Sequence, residues 1–337
     1  MKILYSIQST GLGHITPYLA LGRALLSRGH ELVTLTAGPH PSSFFKPLSK
    51  KYCHFDGPTL ILDHERLSYT GTTIYNLVRS PRFLANLFKV KSFIERERPD
   101  LILLDYEPYT SNYIRFWKPE IPSFSLDHQS TFLSPAFPLG RVDFALSTIT
   151  HIFTFAQMRL CANFVDYGGS GNFITVPPIL REEALSIPVT DQGYTLIYHS
   201  SAMPEDKKKI KTICPKNGEF IFYGYESEVF ENLIFKPKGP DFVRDLAGCH
   251  AFVTNCGLVS VTEALMMGKK IICQPLKRHS EQEWNGRMLN SFPNVRVVDQ
   301  LNYADLRVNQ LELLDKVKQD WLRRGLEVVL KYILKEL

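Results

Sequence analysis

The chain contains no uncharged apolar run of about 18 residues, so no segment of it is built to cross a bilayer as a helix. Met1 to Gln8 is too short for a signal peptide and runs into a glycine turn, which makes the cytoplasm the expected location. Cysteine is scarce: the six, at Cys53, Cys161, Cys214, Cys249, Cys256 and Cys273, form no Cys-x-x-Cys pair and no His-rich cluster at zinc spacing. Buried free thiols are expected, with neither a disulfide framework nor a metal site. Charge of one sign is scarce too, because 39 Lys plus Arg against 34 Asp plus Glu leave a net charge of only +5. That excess is too small and scattered for a nucleic-acid binder, which needs a dense basic face. What is present is ordinary: 44% hydrophobic residues give the apolar content of a folded protein, and 337 residues is more than twice a typical domain of roughly 150. Two domains are expected.

One region breaks the even spread of charge. Between Lys46 and Lys91, eight basic residues (Lys46, Lys50, Lys51, Arg66, Arg79, Arg82, Lys89, Lys91) accompany three acidic ones (Asp56, Asp63, Glu65). Phe44, Phe45, Ile74, Leu77, Phe83, Leu84, Leu87 and Phe88 lie among them. Such a mixture over 44–91 suits peripheral contact with an anionic membrane surface, and equally a helix with an apolar core face and solvated charges.

The first 36 residues read as strand, glycine turn, helix and strand. Ile3, Leu4, Tyr5 and Ile7 form a buried strand, and Ile15, Tyr18, Leu19, Leu21, Leu25 and Leu26 then recur at helical spacing up to Gly29. Leu32, Val33 and Leu35 start a second strand. Similar signals predict a helix over 82–97 and strands over 101–104 and 123–126. Turn formers replace periodic apolar content near 187–193, and a second series follows. It has strands over 194–198, 220–223, 233–235, 251–254 and 270–273, and helices over 204–213, 241–247, 258–267 and 280–290. Residues 309–337 read as one long amphipathic helical pattern. Strands alternating with helices imply α/β architecture: two Rossmann-like, doubly wound parallel-sheet domains, 1–180 and 190–308, with an interdomain cleft for ligand and 309–337 packing back across both.

Two stretches can carry chemistry. Ser9-Thr10-Gly11-Leu12-Gly13-His14 feeds a strand into a helix, where Gly11 and Gly13 let backbone approach a ligand and the helix N-terminus attracts negative charge. A nicotinamide cofactor fits poorly, because Thr16 takes the third glycine position of G-x-G-x-x-G and Thr34-Leu35-Thr36 offers no acid for a ribose. His14 can remove a proton from an incoming hydroxyl, although an isolated histidine is more often structural. In the second half, Thr254-Asn255-Cys256-Gly257 ends a strand and opens a helix whose free amides suit a phosphate. Glu263, about one and a half turns in, can accept from two vicinal ribose hydroxyls, and Gln282 suits sugar hydroxyls. Taken singly, Gly257 can simply turn the chain and Glu263 can be a solvated helix residue.

In order and spacing these pieces resemble the glycosyltransferases of the GT-B fold. Gly13-His14 with Pro17 and Arg28-Gly29-His30 is similar to their amino-terminal signature. The stretch from Thr254 to Gly257, with Glu263-Ala264-Leu265, Gly268, Pro275, Gln282 and Asn285, is similar to their donor-nucleotide signature. The likeness points to the peptidoglycan N-acetylglucosaminyltransferase and a related prokaryotic family, in which segments like Asp105-Tyr106-Glu107-Pro108, Ile121-Pro122, Asp127-His128-Gln129 and Pro177-Pro178-Ile179-Leu180-Arg181 are also expected. The resemblance implies a metal-independent enzyme that moves a sugar from a nucleotide-activated donor, a UDP-sugar first, to a hydroxyl, with no cofactor.

It makes Glu263 the ribose ligand, Gln282 with Glu281 the donor-sugar ligands, and Asn255, Cys256, Gly257 and Leu258 the diphosphate loop. Ser200 and Ser201 join that loop, Gly11 and Gly13 serve the donor from the first turn, and the base rests near Phe235 to Pro237. His14 becomes the general base, oriented by Asp105, with Asp127 second and Glu107 also open. Cys256 and Lys269-Lys270 depart from the signature, so the donor's identity stays open. The acceptor is open as well; a lipid-linked or cell-envelope glycan would bring the protein to the inner face of the membrane. Two further readings stand beside the transferase: a nucleotide-sugar hydrolase or epimerase on the same fold, and a non-catalytic nucleotide-sugar-binding protein.

Overall fold

The computed structural model describes residues 1–337 apart from 10–12, 40–44, 60, 64–65, 139–143, 200–202, 304–305, 307 and 336–337. Contacts divide the chain into two units, the first comprising Met1–Ile61, Ser68–Ile179 and Arg324–Leu337, the second Leu62–Leu67 and Leu180–Arg323.

The chain begins with β1 (Lys2–Gln8), α1 (Ile15–Leu26), β2 (Glu31–Gly38), β3 (Lys51–Asp56), the small hairpin β4 (Leu62–Asp63) and β5 (Arg66–Leu67), and α2 (Tyr69–Glu97). There follow β6 (Leu101–Asp105), α3 (Pro108–Trp117), β7 (Ser123–Asp127), α4 (Phe144–Phe153), β8 (Met158–Ala162), β9 (Gly169–Ser170) and β10 (Phe173–Val176). Eight strands of the first unit pair in the order β3-β2-β1-β6-β7-β8-β10-β9, all parallel except β9 with β10. The order runs outward from β1 on one side and from β6 on the other, so the carboxyl ends of these two strands form the topological switch point where open α/β sheets bind ligands. Leu4, Val33, Leu35, Ile102 and Leu104 of the strands meet Val90 and Ile94 of α2 and Tyr113 and Ile114 of α3 in one core.

The helix expected over 82–97 starts 13 residues earlier, at Tyr69. Proline reads as a break because it lacks the N–H that would bond four residues back. Here Ser80 Oγ donates to the Leu77 carbonyl at 2.8 Å, satisfying the acceptor that Pro81 leaves open, and the helix continues through it. The apolar residues of this region divide. Phe83 and Leu87 pack on the core and Phe45 is fully buried, whereas Ile74, Leu77, Val78, Leu84 and Phe88 are 57–71% exposed. Phe44 lies outside the described residues.

The second series is α5 (Glu182–Ser186), β11 (Thr195–Tyr198), α6 (Asp206–Ile213), β12 (Phe220–Tyr223), β13 (Glu228–Phe230), β14 (Leu233–Lys236), α7 (Phe242–Gly248), β15 (Ala251–Thr254), α8 (Leu258–Met266), β16 (Lys270–Cys273), α9 (Ser280–Leu289), β17 (Val295–Val297), α10 (Lys316–Arg323) and α11 (Gly325–Lys335). Its seven-stranded sheet has the order β13-β14-β12-β11-β15-β16-β17, parallel except for β13 with β14. The switch point here falls between β11 and β15. Residues 309–337 are not one helix. The break falls at Arg324, between α10, packed on α8, and α11, packed on α1 and β10, and a Cβ at Gly325, which opens α11, would run into the Pro178 carbonyl oxygen. All six cysteines are free, and no described helix is long and apolar enough to cross a membrane.

Candidate functional site

At the switch point of the first unit, α1 begins with His14 as its N-cap, and the imidazole makes no capping bond. It is engaged elsewhere: Nδ1 lies 2.8 Å from Asp105 Oδ1. Asp105 is the last residue of β6, paired with Ile7 of β1 and 3% exposed, so the carboxylate is held beside the start of α1 by two adjacent strands. The next residue, Tyr106, has φ 50°, a left-handed conformation costly for a bulky side chain, and its ring lies parallel to the His14 imidazole with centroids 6.4 Å apart. Gly13 is exposed, and a Cβ there would meet nothing within 4 Å, so the turn before α1 has open space beside it. Gly11 lies outside the described residues.

The other two carboxylates are committed. Glu107 caps α3, accepting from Tyr109 N at 2.7 Å, Thr110 N at 2.8 Å and Ser6 Oγ at 2.7 Å. Burial pushes its pKa up, and these hydrogen bonds to the anion oppose the shift. Asp127 accepts from Ser125 Oγ, from Ser130 N at 2.6 Å and from Ser130 Oγ at 3.1 Å. Burial, with a smaller contribution from the Asp105 charge, lifts its pKa to about 6. Of the three carboxylates the sequence offered as partners for His14, the structure brings Asp105 to the imidazole, while the bonds of Glu107 and Asp127 described above brace turns after β6 and β7.

In the second unit, β15 ends at Thr254 and α8 opens at the N-cap Gly257, whose N–H donates to the Asn255 carbonyl at 2.8 Å. No side chain caps α8, its first turn carries no acid, and a Cβ at Gly257 would meet nothing within 4 Å. Gly257 and the first helical residue, Leu258, are half-buried, and the first amides of a helix with no side-chain cap suit an anion. Asn255 Nδ2 donates to the Gln274 carbonyl at 3.1 Å and Asn285 Nδ2 to the Cys256 carbonyl at 2.9 Å, so β16 and α9 fix the loop. The Cys256 side chain is fully buried and bonds to Cys273, directing its thiol into the sheet rather than toward a ligand.

Glu263 differs from the expectation of an open carboxylate. It is fully buried, and both oxygens are held by Arg181, Nε to Oε1 and Nη2 to Oε2, each at 2.8 Å. Burial raises its pKa against the opposing charge of Arg181. The Arg181 side chain is itself 33% exposed, and its guanidinium carbon stands 5.5 Å from the Phe242 ring centroid. Arg181 stands in a motif of the sequence that gives it no role, because its partner lies 82 residues away, beyond any spacing rule. Gln282 Oε1 accepts from Leu276 N at 2.9 Å, which ties it to the loop before α9, and Glu281 is half-buried on the first turn of that helix. Phe235 is 1% exposed and stacked on Phe222, so its ring belongs to the core and offers no face to a base. Ser200 and Ser201 lie outside the described residues. Among the described residues no group of three or more His, Cys, Asp or Glu side chains is arranged to hold a metal.

Comparison with known proteins places this geometry. The family model described as glycosyl transferase family 1 matches residues 1–312. Among solved structures, the glycotransferase of kitacinnamycin has a TM-score of 0.66 at 16% identity over 97% of this chain and 95% of that one. Acinetobacter baumannii MurG has a TM-score of 0.61 at 13% identity over 99% of both chains. Arabidopsis thaliana UGT89C1 complexed with UDP has a TM-score of 0.60 at 16% identity over 98% of this chain and 95% of that one. No curated protein sequence matches. At such identities the structures speak for the fold alone, two mostly parallel sheets in the GT-B manner, while the family match over nearly the whole length shows that this chain belongs to glycosyl transferase family 1.

Proposed function

We propose that the protein transfers a sugar from a UDP-activated donor to an acceptor hydroxyl, with His14 as general base. The second unit is the donor-binding half and the first the acceptor half. The 2.8 Å bond between His14 and Asp105 carries the reading. A neutral imidazole needs a carboxylate on its far nitrogen to fix its tautomer and to stabilise the cation formed as the acceptor loses its proton. His14 is 19% exposed at the side chain, so the ring remains reachable while Asp105 is sealed behind it. The hydroxyl, deprotonated as it attacks, displaces the nucleoside diphosphate from the anomeric carbon. The α8 amides and the Asn255–Leu258 loop stabilise the charge on the leaving group without requiring a metal.

Uridine diphosphate is the nucleotide proposed, because the Arabidopsis relative was solved with UDP. Glu263 can serve the ribose only if Arg181 gives way, since the guanidinium holds both oxygens. Gln282, Glu281, Ser200 and Ser201 complete the donor ligands in this reading.

The acceptor, we infer, lies at an anionic membrane surface. Ile74, Leu77, Val78, Leu84 and Phe88 form one exposed stripe of α2, and Phe88 and the 62% exposed Phe116 both meet Trp117 edge-on. From Arg66 to Ile94 the sequence holds five basic residues and no acidic one. An apolar stripe edged by positive charge matches the boundary between anionic headgroups and acyl chains.

The central test is turnover of a UDP-sugar with and without acceptor. His14→Ala should lower transfer by about 10²-fold or more while UDP affinity stays unchanged. Rapid, complete consumption of donor without an acceptor would turn the reading to a hydrolase or epimerase, and binding with neither reaction to a non-catalytic protein.

A further inference from the structure

The edge of the first sheet opposite His14 and Asp105 gathers cations that the reaction above does not use. α3 leads back from the carboxyl end of β6 to the amino end of β7, and α4 leads to the amino end of β8. Arg115 near the close of α3, His151 near the close of α4 and Arg159, the second residue of β8, therefore meet at the amino edge. The guanidinium carbons of Arg115 and Arg159 stand 4.5 and 5.8 Å from the centroid of one ring, Phe155, and Arg159 also lies 4.8 Å from that of Phe173. Arg115 Nη2 donates to the His151 carbonyl. Arg159 is 5% exposed, and a charged side chain so buried is ordinarily paired. Among the described residues no carboxylate forms an ion pair with it and no acceptor takes its N–H groups, and the Nε atoms of both arginines are sealed without a partner. Asp127 acts on Arg159 through its charge, its own oxygens being held by Ser125 and Ser130. The Phe155 and Phe173 rings stabilise a cation, but a ring face does not replace the in-plane acceptors that five N–H groups require. Arg115 and Arg159 repel each other, and both oppose a charge on the exposed His151.

We propose that Arg159 and Arg115 form a binding site for a phosphate group, apart from the donor site, with Arg159 donating through its Nη groups and Arg115 through Nη1. A phosphate dianion carries several acceptor oxygens in a tetrahedral array, so it accepts from two guanidinium groups arriving on different sides, where a carboxylate offers one plane. Its charge also offsets the repulsion between the two arginines, and His151 joins them when protonated. The residue after Arg115 is the exposed Phe116, which with Phe88 meets Trp117, so the site borders the exposed apolar stripe of α2. The phosphate therefore has two sources of one chemistry: a phosphomonoester headgroup in the surface that the stripe meets, or a soluble phosphate. The first rests on the membrane reading above, and the second does not.

Calorimetric titration of the full chain with inorganic phosphate, at pH 7 and constant ionic strength, should show one saturable site that Arg159→Met weakens about tenfold or more, the loss expected for hydrogen bonds between charged groups. Met fills the space beside the two rings and needs no acceptor, so without phosphate the variant should melt at the wild-type temperature or above it. A merely structural arginine would give the opposite pair, a lower melting temperature and unchanged phosphate binding. Arg115→Gln, which keeps a donor for the His151 carbonyl, should also weaken the titration. In the wild type, whatever the variants do, the His151 ring should titrate at higher pH with phosphate than without it, because the dianion offsets Arg115 and Arg159. Sedimentation with vesicles containing phosphatidic acid identifies the source: weakened by Arg159→Met, it is the headgroup; unchanged, it is soluble phosphate. If neither phosphate nor phosphatidic acid binds in a way that depends on Arg159, the site is overturned. Vesicles that bind neither protein overturn the membrane reading instead, and the calorimetric result then decides the site by itself.

Discussion

Asp105 and Asp127 are both strand-terminal, both nearly sealed and in adjacent strands, yet their surroundings assign them different work. Asp105 gives an oxygen to His14 at 2.8 Å, whereas Asp127 is enclosed by Ser125 and Ser130. Replacing Asp105 by Asn keeps the shape but removes the charge that would stabilise an imidazolium, so kcat should fall by about tenfold or more with UDP affinity unaltered. Equal loss of UDP binding would mean that the pair is structural. Asp127 should act through stability instead. Its pKa stands at about 6 in the folded protein against 3.8 for the ordinary side chain, so the folded state holds the extra proton between these values. The stability this proton contributes is complete below about pH 4 and lost as pH rises through 6, roughly 3 kcal/mol for a shift of about two units. Asp127→Asn cannot ionise, so its unfolding free energy relative to wild type should change across that window, as chemical denaturation at several pH values would reveal; a constant difference would contradict the assignment. Strand-end carboxylates were legible in the sequence because a short apolar run such as Leu101–Leu104 shows where a buried strand stops. The Arg181–Glu263 pair and the core position of Phe235 were not, since both depend on which distant strand or loop comes alongside.

α2 shows why an element can be half legible. Phe83, Leu87, Val90 and Ile94 mark its core side by helical spacing, but Leu84 and Phe88 keep nearly the same spacing and stay exposed, so periodicity alone could not separate core from surface. Nor could it carry the helix through Pro81, whose cost is relieved by one hydroxyl. The exposed stripe makes a prediction at this scale. Sedimentation with vesicles should be strong for phosphatidylglycerol-rich bilayers, weak for phosphatidylcholine and reduced by salt. Leu77→Glu with Phe88→Glu should abolish it, while the melting temperature moves little, because these side chains are 69% and 60% exposed. Binding that survives both charges would exclude the stripe as the contact.

At the scale of the whole chain, alternation of strands and helices was enough to give two doubly wound sheets, because each crossover buries a periodic face that the sequence spells out. The closing 309–337 pattern did not reveal its break, since the reason for Gly325 is the Pro178 carbonyl, 147 positions away in the chain. The two switch points divide the proposed chemistry: the His14–Asp105 pair in the first unit holds a proton acceptor, and the second unit presents uncapped amides with no acid in the first turn of α8. A ligand that binds the native state slows exchange of the amides it contacts and of the segments it ties together. UDP alone should therefore protect, in hydrogen exchange, the end of β11, residues 255–260 and the first turn of α9, while amides at His14 and Tyr106 exchange as before. If Arg181 yields Glu263 to the ribose, Glu263→Ala should weaken this protection by demanding at least about tenfold more UDP, as loss of hydrogen bonds to a charged group does; an unchanged UDP requirement would leave Glu263 a partner of Arg181 alone. Protection centred on β1 and β6 would reverse the assignment of the two halves, because the nucleotide would then occupy the place proposed for the acceptor.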